Sequence, residues 1–164
     1  MSEAGWIVRD ARETDAAMIG TLVAAVYVGE GWSPESAWLR LGDGNWVMGQ
    51  GTVLVAAGQS VLGSVLMALP GQPGRQIGRD DEVEVRLLAV SPDARGSGIG
   101  EALMREILRR AATLGFEAVV LSTQTRMLAA QRLYDRLGFE RQPERDWQRD
   151  SGAPMLVFRI AIST

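Results

Sequence analysis

At 164 residues the chain is long enough for one domain with a buried core and too short to expect two. It has no Cys and no His, which removes disulfides, thiolate nucleophiles, imidazole bases and the metal sites built from them. With 46% hydrophobic and 23% charged residues and a net charge of −3, it reads as an ordinary globular chain, not a nucleic-acid binder. Met1-Ser2-Glu3 lacks the basic, apolar start of a signal peptide, and no apolar run approaches the ~20 residues of a membrane span. The expectation is a cytoplasmic protein without a membrane partner.

In chain order, Trp6 to Arg9 reads as a first strand. Arg12-Glu13-Thr14-Asp15 offers capping residues to an amphipathic helix running from Ala16 to Val26. Tyr27 to Pro34 is a break with two glycines and two aromatics, and Pro34-Glu35-Ser36 opens a second short helix through Leu41. Gly42 to Gly51 reads as turn. Thr52 to Ala57 and Ser60 to Leu69 read as a hairpin of buried strands about Gly58-Gln59. Pro70 to Asp81, with its prolines, glycines, Arg75 and Arg79, reads as a surface loop.

Glu82 to Val90 is dense in β-branched and apolar residues and reads as a strand, stopped by the turn residues Ser91-Pro92-Asp93. From Ile99 a helix is expected: Leu103, Ile107 and Leu108 recur at helical spacing, and Glu101/Arg105 and Glu106/Arg110 sit four apart. Between strand and helix lies Arg95-Gly96-Ser97-Gly98-Ile99-Gly100. Its glycines let main-chain N–H groups and the helix start approach an anion, and Arg95 adds a cation suited to phosphate. The chain contains no Lys, so this is not a Walker loop. The glycine spacing is also wrong for a Rossmann fingerprint.

After the C-cap residue Gly115, Glu117 to Thr123 is the next strand, and Met127 to Leu137 a helix ended by Gly138. Phe139 to Arg141 and Met155 to Ile162 complete the strands around a polar loop, Glu144 to Ala153, in which Arg145 and Trp147 are weighed as acceptor contacts or loop decoration. Two segments carry a family resemblance. Leu88-Ala89-Val90-Ser91-Pro92 followed by Arg95-x-x-Gly98-x-Gly100 resembles the acyl-CoA pyrophosphate loop of the GNAT N-acetyltransferases. Ala130-x-x-Leu133-Tyr134-x-x-x-Gly138-Phe139 is similar to a second pattern of the same family.

The resemblance implies an α/β fold with a central mixed, mostly antiparallel sheet of about seven strands and helices on both faces, in one domain spanning 1–164. It further implies acetyl-CoA as co-substrate, its pyrophosphate on Arg95, Gly96, Ser97, Gly98, Ile99, Gly100 and Glu101. The backbone of Leu88, Ala89 and Val90 is expected against pantetheine, and Tyr134 as the acid for the leaving thiolate. A bulge in the first strand would splay it from the next and free those backbone groups. Many family members carry an Asn where this chain has Met127, so one cofactor-contacting amide is missing.

An amine must lose a proton before it attacks a thioester, and with no His or Cys the base must be a carboxylate, acting directly or through water. Glu84 is the first choice and Glu82 the second. Both share a strand face with Arg86, so a purely structural role is the competing reading. Tyr27, Glu30 and Trp32 border the acceptor region of the resembled fold. The expected acceptor is a small-molecule or peptide amine, and pairing of two copies through the last strands is expected. An acyl-CoA sensor without acceptor chemistry, or a transferase for another acyl group, are the alternatives.

Overall fold

The structure, a computed structural model, describes residues 5–163, so the first residues, on which the leader expectation rests, lie outside it. β1 (Ile7–Asp10) is followed by α1 (Ala16–Tyr27), α2 (Trp38–Leu41) and α3 (Gly44–Met48). Then come β2 (Thr52–Ala57), β3 (Val61–Ala68), β4 (Glu82–Val90) and α4 (Ile99–Thr113). β5 (Ala118–Gln124), α5 (Leu128–Leu137), β6 (Glu140–Arg141), β7 (Trp147–Gln148) and β8 (Pro154–Ala161) complete the chain.

The strands form one eight-stranded sheet in the order β1-β2-β3-β4-β5-β8-β6, with β7 added beside β8. Only β4 and β5 run parallel. A parallel neighbour needs a crossover, and α4 supplies it. One side of the sheet packs Ile99, Leu103, Met104 and Ile107 of α4 with Leu133 and Tyr134 of α5. The other packs Ile19, Val23, Val26 and Tyr27 of α1 with Leu41 and Val47. Helices therefore cover both faces, as expected. Among the described residues no helix is long and apolar enough to cross a membrane.

Two expectations are corrected. The stretch read as turn contains α3, started by Asp43, whose carboxylate accepts the N–H groups of Asn45 and Trp46 at 3.0 and 3.3 Å. Its glycine marks a close approach rather than a break: a Cβ on Gly44 would lie 1.6 Å from the Ala16 carbonyl oxygen of α1. The polar loop before the last strand contains β7, which pairs Trp147 with Met155.

The irregularity that shapes the molecule is in β4. Against β3, Leu66 faces Arg86 and Ser64 faces Ala89, so β4 carries one more residue than its partner. Leu87 takes that surplus with φ of +55°, in the left-handed region that a branched side chain rarely occupies. The bulge flips the strand's parity. Before it, Val83 and Val85 face α4, and after it Leu88 and Val90 do, while Leu87 and Ala89 face α1. It also ends the pairing with β5 at Val85 and Leu121, although β5 continues against β8 to Gln124 and Met155. The sheet opens there into a cleft.

Candidate active site

The strand β4 leads into the glycine loop, and the cleft lies beside both. Beyond Val85, β4 has no partner on its β5 side, so its backbone groups on that edge are open, as the sequence reading required of a bulged strand. One is already taken: the Tyr27 hydroxyl donates to the Leu88 carbonyl at 3.1 Å. Thr123, on β5 past the last pair, is buried with its hydroxyl unpartnered among the described residues.

The loop has the form of an anion cradle. Gly96 and Gly98 adopt φ of +81° and +82°, and Gly98 stands at the N-terminus of α4. Among the described residues, the N–H groups of Gly96 through Glu101 have no main-chain acceptor. Nothing lies within 4 Å of where a Cβ on Gly96 or Gly98 would be, so the concavity is open. These residues fit a pyrophosphate. The Glu101 side chain turns to Arg105 at 3.2 Å, leaving its N–H as its contribution. Arg95 is held by Glu30 at 2.5 Å, so that cation is shared with the loop after α1. The same loop is fastened at Trp32, whose indole N–H reaches Glu30 at 3.1 Å, whose ring lies under Arg126 and whose carbonyl accepts Gln124 Nε2.

The two carboxylates have different environments. Glu82 is fully buried: Arg145 grips both its oxygens at 2.8 and 2.9 Å, Arg159 Nε adds 2.7 Å and the Arg79 N–H 2.9 Å. Burial pushes its pKa up, but Arg145, the Arg79 N–H and Arg159 together outweigh that and hold it at about 2. Arg145 is thus neither loop decoration nor an acceptor contact but half of a buried clamp. Glu84 is also buried, yet only its Oε1 is engaged, by the N–H groups of Gln76, Ile77 and Gly78 at 2.9, 3.0 and 2.9 Å. Among the described residues no hydrogen bond is made to Oε2, and Glu84 lines a cavity of about 40 Å³ on the α1 side of the cleft.

Across the sheet, Tyr134 is buried against Phe139 and Phe158, with ring centroids at 5.6 and 6.2 Å. Burial raises its pKa, and nearby Tyr27 raises it further, so the phenol keeps its proton. Its hydroxyl makes no hydrogen bond among the described residues. The structure thus brings Glu84, Tyr27 and the Leu88–Val90 backbone to the cleft, with Tyr134 near Tyr27 and the Arg95–Glu101 loop at the end of the same strand; it takes Glu82 away.

Met127, standing where the amide was missed, lines the cavity and accepts the Gln124 N–H on its sulfur at 3.3 Å. Gln124, Ser122 and Arg149 also line it and carried no signal in the sequence. Trp147, weighed as an acceptor contact, donates from its indole to Ser122 Oγ at 2.9 Å and so shapes the cavity through Ser122.

The sequence pattern described as the Acetyltransferase (GNAT) family matches residues 9–139 of this chain. The chain belongs to that family. It is 38% identical over 95 residues to N-acetyltransferase 8B of Rattus norvegicus, covering 57% of this chain and 40% of that protein. It is 42% identical over 65 residues to N-acetylaspartate synthetase of Danio rerio, covering 40% of this chain and 23% of that one. The chain therefore spans well under half the length of these curated relatives. In fold it is similar to yncA of Salmonella typhimurium, solved with its cofactor acetyl-CoA, at a TM-score of 0.71 and 19% identity over 97% of this chain and 95% of that one. The acetyltransferase fold expected from the two motifs is the fold observed.

Proposed function

We propose that this GNAT protein transfers an acetyl group from acetyl-CoA to a primary amine by direct attack, with no covalent enzyme intermediate. The observation that carries the reading is that one strand, β4, bears a bulged, unpaired edge, a half-engaged carboxylate on a cavity wall and the lead into an open anion cradle. The names of the relatives and the acetyl-CoA held by yncA support it.

The Gly96–Glu101 N–H groups would hold the pyrophosphate, and the open β4 edge at Leu88–Val90 the pantetheine arm and thioester carbonyl. Bound acetyl-CoA supplies an activated carbonyl and a thiolate leaving group. Glu84 takes one proton of the incoming ammonium, directly or through water, freeing the nitrogen to attack; as the C–N bond forms and the C–S bond breaks, the nitrogen's second proton passes to solvent. Tyr134 gives its proton to the departing sulfur, and both residues reset with solvent.

The test of the base is Glu84→Gln. Glutamine keeps an oxygen for the three N–H groups of residues 76–78, so the melting temperature should stay near wild type. Turnover should fall roughly 10²-fold. Unchanged turnover would assign Glu84 to anchoring the loop alone. Tyr134→Phe keeps both ring contacts and removes a hydroxyl that makes no hydrogen bond among the described residues, so stability should move by less than about 0.5 kcal/mol. Thiol release from acetyl-CoA should drop roughly 10²-fold; wild-type turnover would leave the sulfur to be protonated by water.

A further inference from the structure

We infer that the acceptor amine carries a carboxylate a few bonds from its nitrogen, and that Arg149, with Arg86, binds that carboxylate. The inference rests on the acetyl-transfer reading above and names the substrate class of its cavity.

Three charged side chains line that cavity, Glu84, Arg86 and Arg149. Two cations against one carboxylate leave it net positive, the opposite of what a polyamine needs and of what the overall net charge of −3 suggests. Glu84 is the one carboxylate that faces them. Arg86 donates to the Gly74 carbonyl at 3.1 Å and has no ion pair among the described residues. Arg149 is half-buried, and its guanidinium has neither hydrogen bond nor ion pair among them. Of the fifteen other arginines, eight pair with an acid among the described residues and seven do not, but Arg86 and Arg149 share one cavity. Two guanidinium groups against one carboxylate leave the cavity one cation in excess, and a planar carboxylate matches a guanidinium in two parallel bonds.

Burial weakens the charged form of Arg86, Glu84 and Tyr27 support it in part, and Arg149 and Arg40 repel it; a second anion between Arg86 and Arg149 would relieve what Glu84 leaves. Spacing narrows the class. Glu84 and Arg86 are two residues apart on one strand face, about 7 Å along the strand. An amine held at Glu84 thus places a carboxylate on the same small molecule within reach of the arginines.

Arg149 is the residue to change. Its hairpin turn is fixed by backbone bonds, Arg149 N–H to the Ala153 carbonyl at 3.0 Å and Gly152 N–H to the Arg149 carbonyl at 2.8 Å, so the side chain can be replaced without unmaking the turn. The experiment compares glycine and L-aspartate with glycinamide, L-aspartic diamide and spermidine. It measures acetyl-CoA-dependent thiol release, and calorimetric binding to the CoA-loaded protein. The acids should exceed their amides at least 10-fold in kcat/KM. Arg149→Gln should raise the acids' KM roughly 10- to 10²-fold, leaving the amides and the KM for acetyl-CoA unchanged, and Arg149→Lys should recover part of the loss. Equal use of acids and amides, preference for spermidine, or an Arg149→Gln loss shared by acids and amides each overturns the proposal while leaving acetyl transfer standing. Acids that bind the CoA-loaded protein better than amides, with no thiol release for any acceptor, would retain the anion site and remove the transferase reading. If acids bind no better than amides and nothing is acetylated, both fail.

Discussion

Gly98→Asp should lower the affinity for CoA roughly 10³-fold in a protein that still folds. At φ of +82° an L-residue is strained, but Asp is among the side chains that tolerate this region, and a Cβ there meets nothing within 4 Å. The stability loss should be about 1 kcal/mol. The carboxylate, however, enters the concavity formed by the N–H groups of Gly96 to Glu101, where it takes donors meant for phosphate and adds a like charge. Losing two charge-assisted bonds at about 2 kcal/mol each corresponds to roughly 10³-fold in Kd. Gly98→Ala carries at least that strain without the charge and should lose far less CoA affinity. Calorimetry with CoA on both variants separates the effects. An unchanged Kd for folded Gly98→Asp would mean that the loop does not hold the pyrophosphate. Arg95→Ala should have a smaller effect, because Glu30 already holds that guanidinium at 2.5 Å.

The bulged strand and the glycine loop, to which the chemistry is assigned above, were legible because local rules determine them. Leu87-Leu88-Ala89-Val90 breaks strict alternation, and the bulge is what that break means physically: Arg86 and Leu87 share a face, and the parity flips. The glycines of the anion loop signal close backbone approach whatever surrounds them. What was not legible depends on partners far along the chain. Glu82 and Glu84 look alike in sequence, two residues apart. Only the fold brings Arg145 and Arg159 onto one, and the backbone of residues 76–78 onto the other. Arg149 sits in a loop with neither periodicity nor a motif, and faces the cavity because β7 turns the loop back against β8. α3 was hidden because glycines that look like breaks in the sequence serve a helix–helix contact.

The difference between the two carboxylates leads to the second large effect. Glu82→Gln should destabilise the protein by roughly 3–5 kcal/mol at neutral pH, because it leaves the buried Arg145 and its neighbour Arg159 without their anion. For a chain of this size that is a drop of roughly 10 °C in melting temperature. The pH dependence has a definite sign. Glu82 titrates near 2 in the folded protein against an ordinary 4.5, so the proton prefers the unfolded chain. Its contribution, about 3 kcal/mol by that difference, is fully present above 4.5 and is lost as pH falls from there through 2. Urea unfolding at pH 7 and at pH 3 should therefore show the gap between wild type and Glu82→Gln narrowing in acid. A gap that stayed constant would place the cost in packing instead of charge. Activity supplies the complementary check: per folded molecule, Glu82→Gln should keep most of its turnover, whereas Glu84→Gln, folded and stable, should not. The reverse pattern would move the proton-accepting role to Glu82, against the clamp that two guanidinium groups make around it.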